Sequence, residues 1–244
     1  MRAAIQRLLG IAGYQVRRKY ARDFTPDDVA LVRRVEPFTR VTPEQLLGCV
    51  HAAEYIVRNQ IPGAVVECGV WKGGSVMAIA LTLLRLGERE REMYLYDTFE
   101  GMTAPTAQDV DFQGRDAASQ IAAARDRVLG IEAYAPLDEA RANILGTGYD
   151  ASKVHFVKGR VEDTLPAQAP GQISLLRLDT DWYESTRHEL EHLFPRVSRG
   201  GVLMIDDYGH WHGVRQATDE YFASYGPKPL LCRLDYASRI AVKL

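Results

Sequence analysis

Carboxylates at the ends of two apolar runs are the residues best suited to chemistry in this sequence. Leu175-Leu176-Arg177-Leu178 runs into Asp179-Thr180-Asp181, and Val202-Leu203-Met204-Ile205 runs into Asp206-Asp207. Continuous apolar runs of this kind read as strands buried on both faces of a parallel sheet. If the two are adjacent, about 5 Å apart, Asp179, Asp206 and Asp207 converge at the carboxyl edge, where open α/β sheets place their ligands. Three converging carboxylates repel one another unless a cation sits among them, and an all-oxygen set suits a hard ion such as Mg²⁺. Asp179 alone reads equally well as a helix N-cap; the set of three reads as a metal site.

A second locus lies upstream. Ala64–Cys68 reads as a short buried strand, and Gly69-Val70-Trp71-Lys72-Gly73-Gly74-Ser75 as a tight turn into a helix running to about Leu86. Such a turn offers backbone N–H groups and a helix dipole. The glycine spacing is G-x-x-x-G-G, so the G-x-G-x-x-G dinucleotide fingerprint is absent. Glu67 before the turn would repel a pyrophosphate but suits a cationic amino group. Asp97, ending the next strand (Tyr94–Asp97), stands where a carboxylate holds ribose hydroxyls. A nucleoside with a cationic amino-acid tail describes S-adenosylmethionine. Read blandly, Glu67 is only a charge at a strand end.

Three further motifs compete with this reading. His188-Glu189-Leu190-Glu191-His192 matches the zinc-protease pattern H-E-x-x-H,. Its helix carries a core stripe of Leu190, Leu193, Phe194 and Val197, and at about 100° per residue both histidines fall on the opposite, water-facing side. Asp179-Thr180-Asp181 matches the D-x-D of metal-dependent glycosyltransferases, which leaves the glycine turn, Glu67 and Asp97 unexplained. Tyr208-Gly209-His210-Trp211-His212-Gly213 follows the Asp pair and offers rings for stacking or a proton relay through His210; a packed Trp with surface histidines explains it as well.

The elements that must position these residues can be read in order. Thr25 caps a helix over Pro26–Arg34; Thr42, with Pro43 and a capping-box Gln45, starts a helix over Pro43–Asn59. Strands follow at Ala64–Cys68, Tyr94–Asp97, Val154–Val157, Ile173–Leu178 and Val202–Ile205, and Leu230–Leu234 with Arg239–Val242 form a closing hairpin. Helices are expected at Leu137–Leu145, Tyr183–Ser198 (broken at Pro195) and Gly213–Tyr225. The fold class is therefore α/β: a mostly parallel, seven-stranded, Rossmann-like sheet with an antiparallel C-terminal hairpin. Residues 1–60 form a helical N-terminal extension or cap, and residues 61–244 the main domain. A lid insertion at residues 103–127 carries Asp109, Asp111, Gln113, Arg115 and Asp116, which suit a polyol.

Composition sets the outer bounds. The chain has 244 residues, 46% hydrophobic and 25% charged, with a formal net charge of −2. It can bury a core, and no long-range attraction to nucleic acid is expected. Cys49, Cys68 and Cys232 have no metal or redox spacing, which fits a reducing cytoplasm. No apolar run approaches the roughly 20 residues of a membrane span, and the start lacks signal-peptide character. Residues 1–22 are basic, with Ile5, Leu8, Leu9 and Ala12 on one helical face; packing against another subunit of a homo-oligomer is favoured over a membrane surface.

Four blocks resemble the macrocin O-methyltransferase family: Val66–Ser75, Tyr96–Met102, Leu178–Thr186, and Gly200-Gly201-Val202 through Ile205-Asp206-Asp207-Tyr208-Gly209. The likeness runs from about Phe38 to Phe222. It implies a class I methyltransferase fold that uses S-adenosylmethionine and Mg²⁺ to methylate a sugar hydroxyl on a glycosylated small molecule of natural-product biosynthesis. By position it implies Asp179, Asp206 and Asp207 as metal ligands and Asp181 as general base; should Asp181 be a ligand instead, His210 from the motif above is the next candidate base. It implies Thr39, Glu67, Gly69, Ser75, Asp97, Phe99, Arg160, Val161 and Asp179 around the cofactor. Arg40 departs from the family, which often has Met there, and the lid matches poorly. A catechol-type O-methyltransferase uses the same metal logic on a phenol; a D-x-D glycosyltransferase and a non-catalytic S-adenosylmethionine-binding protein are the other readings.

Overall fold

The computed structural model describes residues 18–125 and 134–244. Most of the basic N-terminal segment, residues 1–17, and the end of the expected lid, residues 126–127, lie outside the described residues. Five parallel strands form the body of the sheet: β1 (Ala64–Cys68), β2 (Met93–Asp97), β3 (Val154–Lys158), β4 (Ile173–Leu178) and β5 (Val197–Ile205). β6 (Cys232–Arg233) and β7 (Arg239–Val242) complete the order β3-β2-β1-β4-β5-β7-β6, with β7 antiparallel to both neighbours. The closing hairpin is thus present, but its first strand has two residues rather than five, and its second fills the gap beside β5.

Strand residues alternate between faces, and the two cores follow that alternation. Val65, Leu95, Leu175, Val202 and Met204 face α1 (Pro26–Val35), α2 (Pro43–Arg58) and α3 (Gly74–Arg85). Val66, Tyr96, Leu176, Leu203 and Ile205 face the other side. The N-terminal helices share the first core, so the extension packs as part of the sheet's covering layer. Thr25 and Thr42 each close a capping box, with Asp28 and Gln45 respectively.

The remaining described helices are α4 (Ala117–Arg125), α5 (Leu137–Leu145), α6 (Val161–Thr164), α7 (Tyr183–Leu193) and α8 (His212–Ser224). Helix α7 ends earlier than the sequence pattern suggests. A 3-10 turn at Phe194–Arg196 contains Pro195, and β5 begins at Val197. Proline cannot donate within the helix, and Val197 and Ser198 turn inward as buried strand residues.

Candidate active site

The strand ladder sets the geometry. Asp179 N–H donates to Cys68 O at 2.8 Å and Asp206 N–H to Leu178 O at 2.9 Å, so both aspartates emerge where the ladder ends. Gly69, at φ +83°, turns away so tightly that a Cβ would lie 1.9 Å from Asp179 O. A cavity of about 470 Å³ opens over this edge, lined by Thr39, Glu67, Gly69, Ser75, Asp97, Arg160, Val161, Asp179, Asp181, Asp206, Asp207 and His210 among others.

One wall is built from β1 and β2. Asp97 takes Val70 N–H at 2.7 Å and Trp71 N–H at 2.8 Å on one oxygen and Phe99 N–H at 2.7 Å on the other. It therefore locks the two turns together while facing the cavity. Phe99 itself is buried against Phe156, ring centroids 6.4 Å apart. Its side chain supports the wall from behind, whereas the sequence reading placed it in the pocket. Thr39 reaches the cavity by packing over Gly74, where a Cβ would meet it at 2.6 Å. Glu67 is buried, with Oε1 held by Arg177 at 2.9 Å and Oε2 without a partner among the described residues. Burial pushes its carboxyl up to about 7.

The adjoining wall, at the ends of β4 and β5, is acidic. Asp179, Asp181 and Asp207 offer carboxylate oxygens within 4.8 Å of one another. Burial raises Asp181 to about 7 and lifts Asp179 and Asp207 well above the usual carboxylate range, with the neighbouring carboxylates adding to it. Asp181 and Asp207 hold positive φ of 69° and 52°, strain of the kind that clusters at functional sites,. Asp206 stands apart from this cluster. The alternation that turns Met204 toward α2 turns Asp206 the same way. Its Oδ1 accepts Gln45 Nε2 at 2.6 Å and its Oδ2 accepts Arg177 Nη2 at 2.5 Å. His210 lies beyond, with Tyr236 Oη 3.3 Å from its Nδ1 and its pKa lowered by burial.

The family model of macrocin O-methyltransferases (TylF) matches residues 17–239. The chain belongs to that family. It is 34% identical over 197 residues to the 8-demethyl-8-(2,3-dimethoxy-alpha-L-rhamnosyl)-tetracenomycin-C 4'-O-methyltransferase of Streptomyces olivaceus, covering 81% of this chain and 72% of that one. It is 32% identical to the demethyldecarbamoylnovobiocin O-methyltransferase of Streptomyces niveus, covering 79% and 69%. The structure of the O-methyltransferase NovP superposes with a TM-score of 0.72 at 29% identity, over 84% of this chain and 82% of that one.

As a macrocin-family O-methyltransferase, the chain has the class I methyltransferase sheet, and the glycosyltransferase reading of Asp179-Thr180-Asp181 falls. The zinc-protease match falls on geometry as well. Glu189 is fully buried, accepting from the Thr180 hydroxyl at 2.8 Å. His188 and His192 are half-buried rather than fully in water, packed edge to face with centroids 4.3 Å apart, and His188 Nε2 lies 3.3 Å from Leu165 O.

The segment expected to form a lid departs from another expectation. Asp109 and Asp111 are fully buried and serve backbone N–H groups of that segment and of Tyr183. Asp109 accepts from Tyr183 N at 2.8 Å and Thr106 N at 2.7 Å; Asp111 accepts from Gln113 N, Arg115 N and Arg115 Nε. Asp116 caps α4 through Ser119. These residues shape the segment itself and leave few oxygens for a polyol. Two residues in the site escaped sequence reading. Arg177 carries a buried charge inside an apolar strand, and Gln45 bridges its helix cap to Asp206.

Proposed function

We propose that this O-methyltransferase transfers the methyl group of S-adenosylmethionine to a hydroxyl of a sugar on a glycosylated small molecule, with Mg²⁺ at the aspartate cluster. The observation that carries this reading is one cavity with an unsatisfied Glu67 oxygen on one wall and three clustered aspartates on the other. Both features ask for cations. Glu67, Asp179, Asp181, Asp206 and Asp207 converge there with the buried Arg177 guanidinium to offset them. A cofactor amino group fits Glu67 Oε2, and a hard divalent ion fits an all-oxygen set.

S-adenosylmethionine supplies the electrophilic methyl, and Mg²⁺ supplies the Lewis acidity that a weakly acidic sugar hydroxyl needs near neutral pH. The chain's own residues do the rest. Glu67 Oε2 would accept from the cofactor's amino group, and Asp97, with Thr39, Gly69, Ser75, Arg160 and Val161, would frame the nucleoside. Asp179, Asp181 and Asp207 would hold the ion, while Asp206 anchors the edge through Arg177 and Gln45. His210 would take the proton that the acceptor hydroxyl loses on methylation. Burial lowers its pKa, which favours the neutral imidazole that a base needs,. In the tautomer that donates Nδ1–H to the Tyr236 hydroxyl, Nε2 keeps a free lone pair,. Asp181 would serve as base only if the ion left it free.

The acceptor side carries rings. Phe112 and Tyr236 are exposed and flank His210, with centroids 5.5 and 5.9 Å away. They give faces on which a sugar and its aglycone can lie. The name of the Streptomyces olivaceus relative, a rhamnosyl-tetracenomycin-C 4'-O-methyltransferase, favours a sugar over a catechol. The free Cys49, Cys68 and Cys232 fit a cytoplasmic setting, and among the described residues no helix is long and apolar enough to cross a membrane. A matched set of acceptors tests the reading with radiolabelled S-adenosylmethionine: a glycoside with adjacent free hydroxyls, its deoxy analogue and a catechol. Transfer to the first and a large loss with the second are expected. Catechol outrunning every sugar would overturn the assignment.

A further inference from the structure

Arg177 lies between the two walls of the cavity. In the sheet register it pairs with Glu67 on β1 and with Met204 on β5. Its side chain is 3% exposed. Nη1 donates to Glu67 Oε1 at 2.9 Å and to Asp179 Oδ2 at 2.7 Å, and Nη2 donates to Asp206 Oδ2 at 2.5 Å. The planar fork of a guanidinium can meet carboxylates from three strand ends at once; an ammonium cannot hold the same geometry.

Each carboxylate that Arg177 holds keeps its other oxygen for a second task. Glu67 Oε2 is buried and unpartnered among the described residues. Asp179 belongs to the aspartate cluster. Asp206 Oδ1 accepts the backbone N–H of Asp207 at 3.0 Å and so fixes the peptide that carries another cluster member. A buried ionic set adds little to stability over apolar residues of the same volume, so stability alone does not account for an arginine here.

We infer that Arg177 is a positioning residue serving both halves of the site. It aims Glu67 at the cofactor's amino group and sets Asp179 and, through Asp206, Asp207 for the divalent ion. The inference rests on the cofactor and ion proposed above. One substitution at Arg177 therefore weakens two ligands that bind side by side over the sheet edge.

The test is titration calorimetry on Arg177→Lys and Arg177→Met, with circular dichroism to confirm folding. Three probes are used: S-adenosylhomocysteine, 5′-methylthioadenosine, which lacks the amino-acid portion, and magnesium chloride. Loss of a well-placed charge-assisted contact should reduce S-adenosylhomocysteine affinity about 10- to 100-fold. 5′-Methylthioadenosine should bind as it does to the wild type, because Glu67 does not touch it. Magnesium affinity should fall at least about tenfold in the same variants. If Arg177→Met does not fold, Arg177→Lys decides. A folded variant with an unchanged preference for S-adenosylhomocysteine over 5′-methylthioadenosine, or with unchanged magnesium affinity, overturns the inference. So does loss of all three ligands together, which marks Arg177 as a plain structural prop. Wild-type protein that binds neither S-adenosylhomocysteine nor magnesium would sink the functional reading itself, and this inference with it.

Discussion

Gly69→Ala should cost more than any other single methyl group added at the site. The added Cβ would sit 1.9 Å from Asp179 O and 2.6 Å from Asp179 C, both backbone atoms that no rotamer change can move. Relief requires β1 and β4 to separate by about 1 Å at their ends, since non-bonded contacts settle near 3–4 Å. That movement stretches the 2.8 Å backbone hydrogen bond from Asp179 N–H to Cys68 O. At about 1 kcal/mol for that bond, plus about 1–2 kcal/mol for alanine at φ +83°,, the loss is about 2–3 kcal/mol. Because Asp179 moves with its carbonyl, magnesium affinity should fall as well. Urea unfolding gives the stability change and calorimetry the ion binding. A variant within about 1 kcal/mol of wild type, the usual size of an ordinary substitution, would show that the turn is not packed as described.

Other perturbations separate structure from chemistry. Asp109→Asn leaves Tyr183 N–H or Thr106 N–H without its acceptor, so stability should drop by about 1–3 kcal/mol and KM for the acceptor should rise, while S-adenosylhomocysteine affinity holds; an unchanged KM would detach the lid from acceptor binding. Glu189 has its carboxyl pushed up to about 8 by burial, above the unfolded value of about 4.3. Its contribution is therefore fully present below about pH 4 and lost as pH rises toward about 8. Glu189→Gln mimics the protonated form and should unfold at about 1–3 kcal/mol higher stability at pH 9, with little gain at pH 4; equal effects at both pH values would contradict the buried-acid account. His188→Ala with His192→Ala should leave methyl transfer and magnesium binding at wild-type levels, and loss of either would reopen the H-E-x-x-H motif.

Local signals made much of the fold legible. Strand Ala64–Cys68, helix Leu137–Leu145 and the Thr42 capping box agree residue for residue with the structure, because apolar runs, caps and turn residues act within a few positions. β5 was harder to see. Ser198, Arg199, Gly200 and Gly201 dilute its apolar pattern, and only burial beside β4 makes Val197 a strand residue. The carboxylates of the site could be read from their places at strand ends. Their partners could not be read in the same way, because register is a property of two strands. Yet Glu67, Arg177 and Asp206 each stand two residues beyond an apolar position facing α1–α3, namely Val65, Leu175 and Met204. Period-two alternation thus placed all three on one face. Asp109 and Asp111 looked free for a substrate because nothing in sequence reveals how many backbone N–H groups a carboxylate already serves.

Asp179, Asp181 and Asp207 are proposed to form one divalent-ion site required for methyl transfer. The direct measurement is magnesium titration of chelator-treated protein, followed on the same samples by transfer of radiolabelled methyl to a glycoside with adjacent hydroxyls. No transfer is expected in excess EDTA, with recovery through a single magnesium-binding event and loss of that event in Asp181→Asn and in Asp207→Asn. Full transfer in EDTA, or magnesium binding that survives both substitutions, would contradict it.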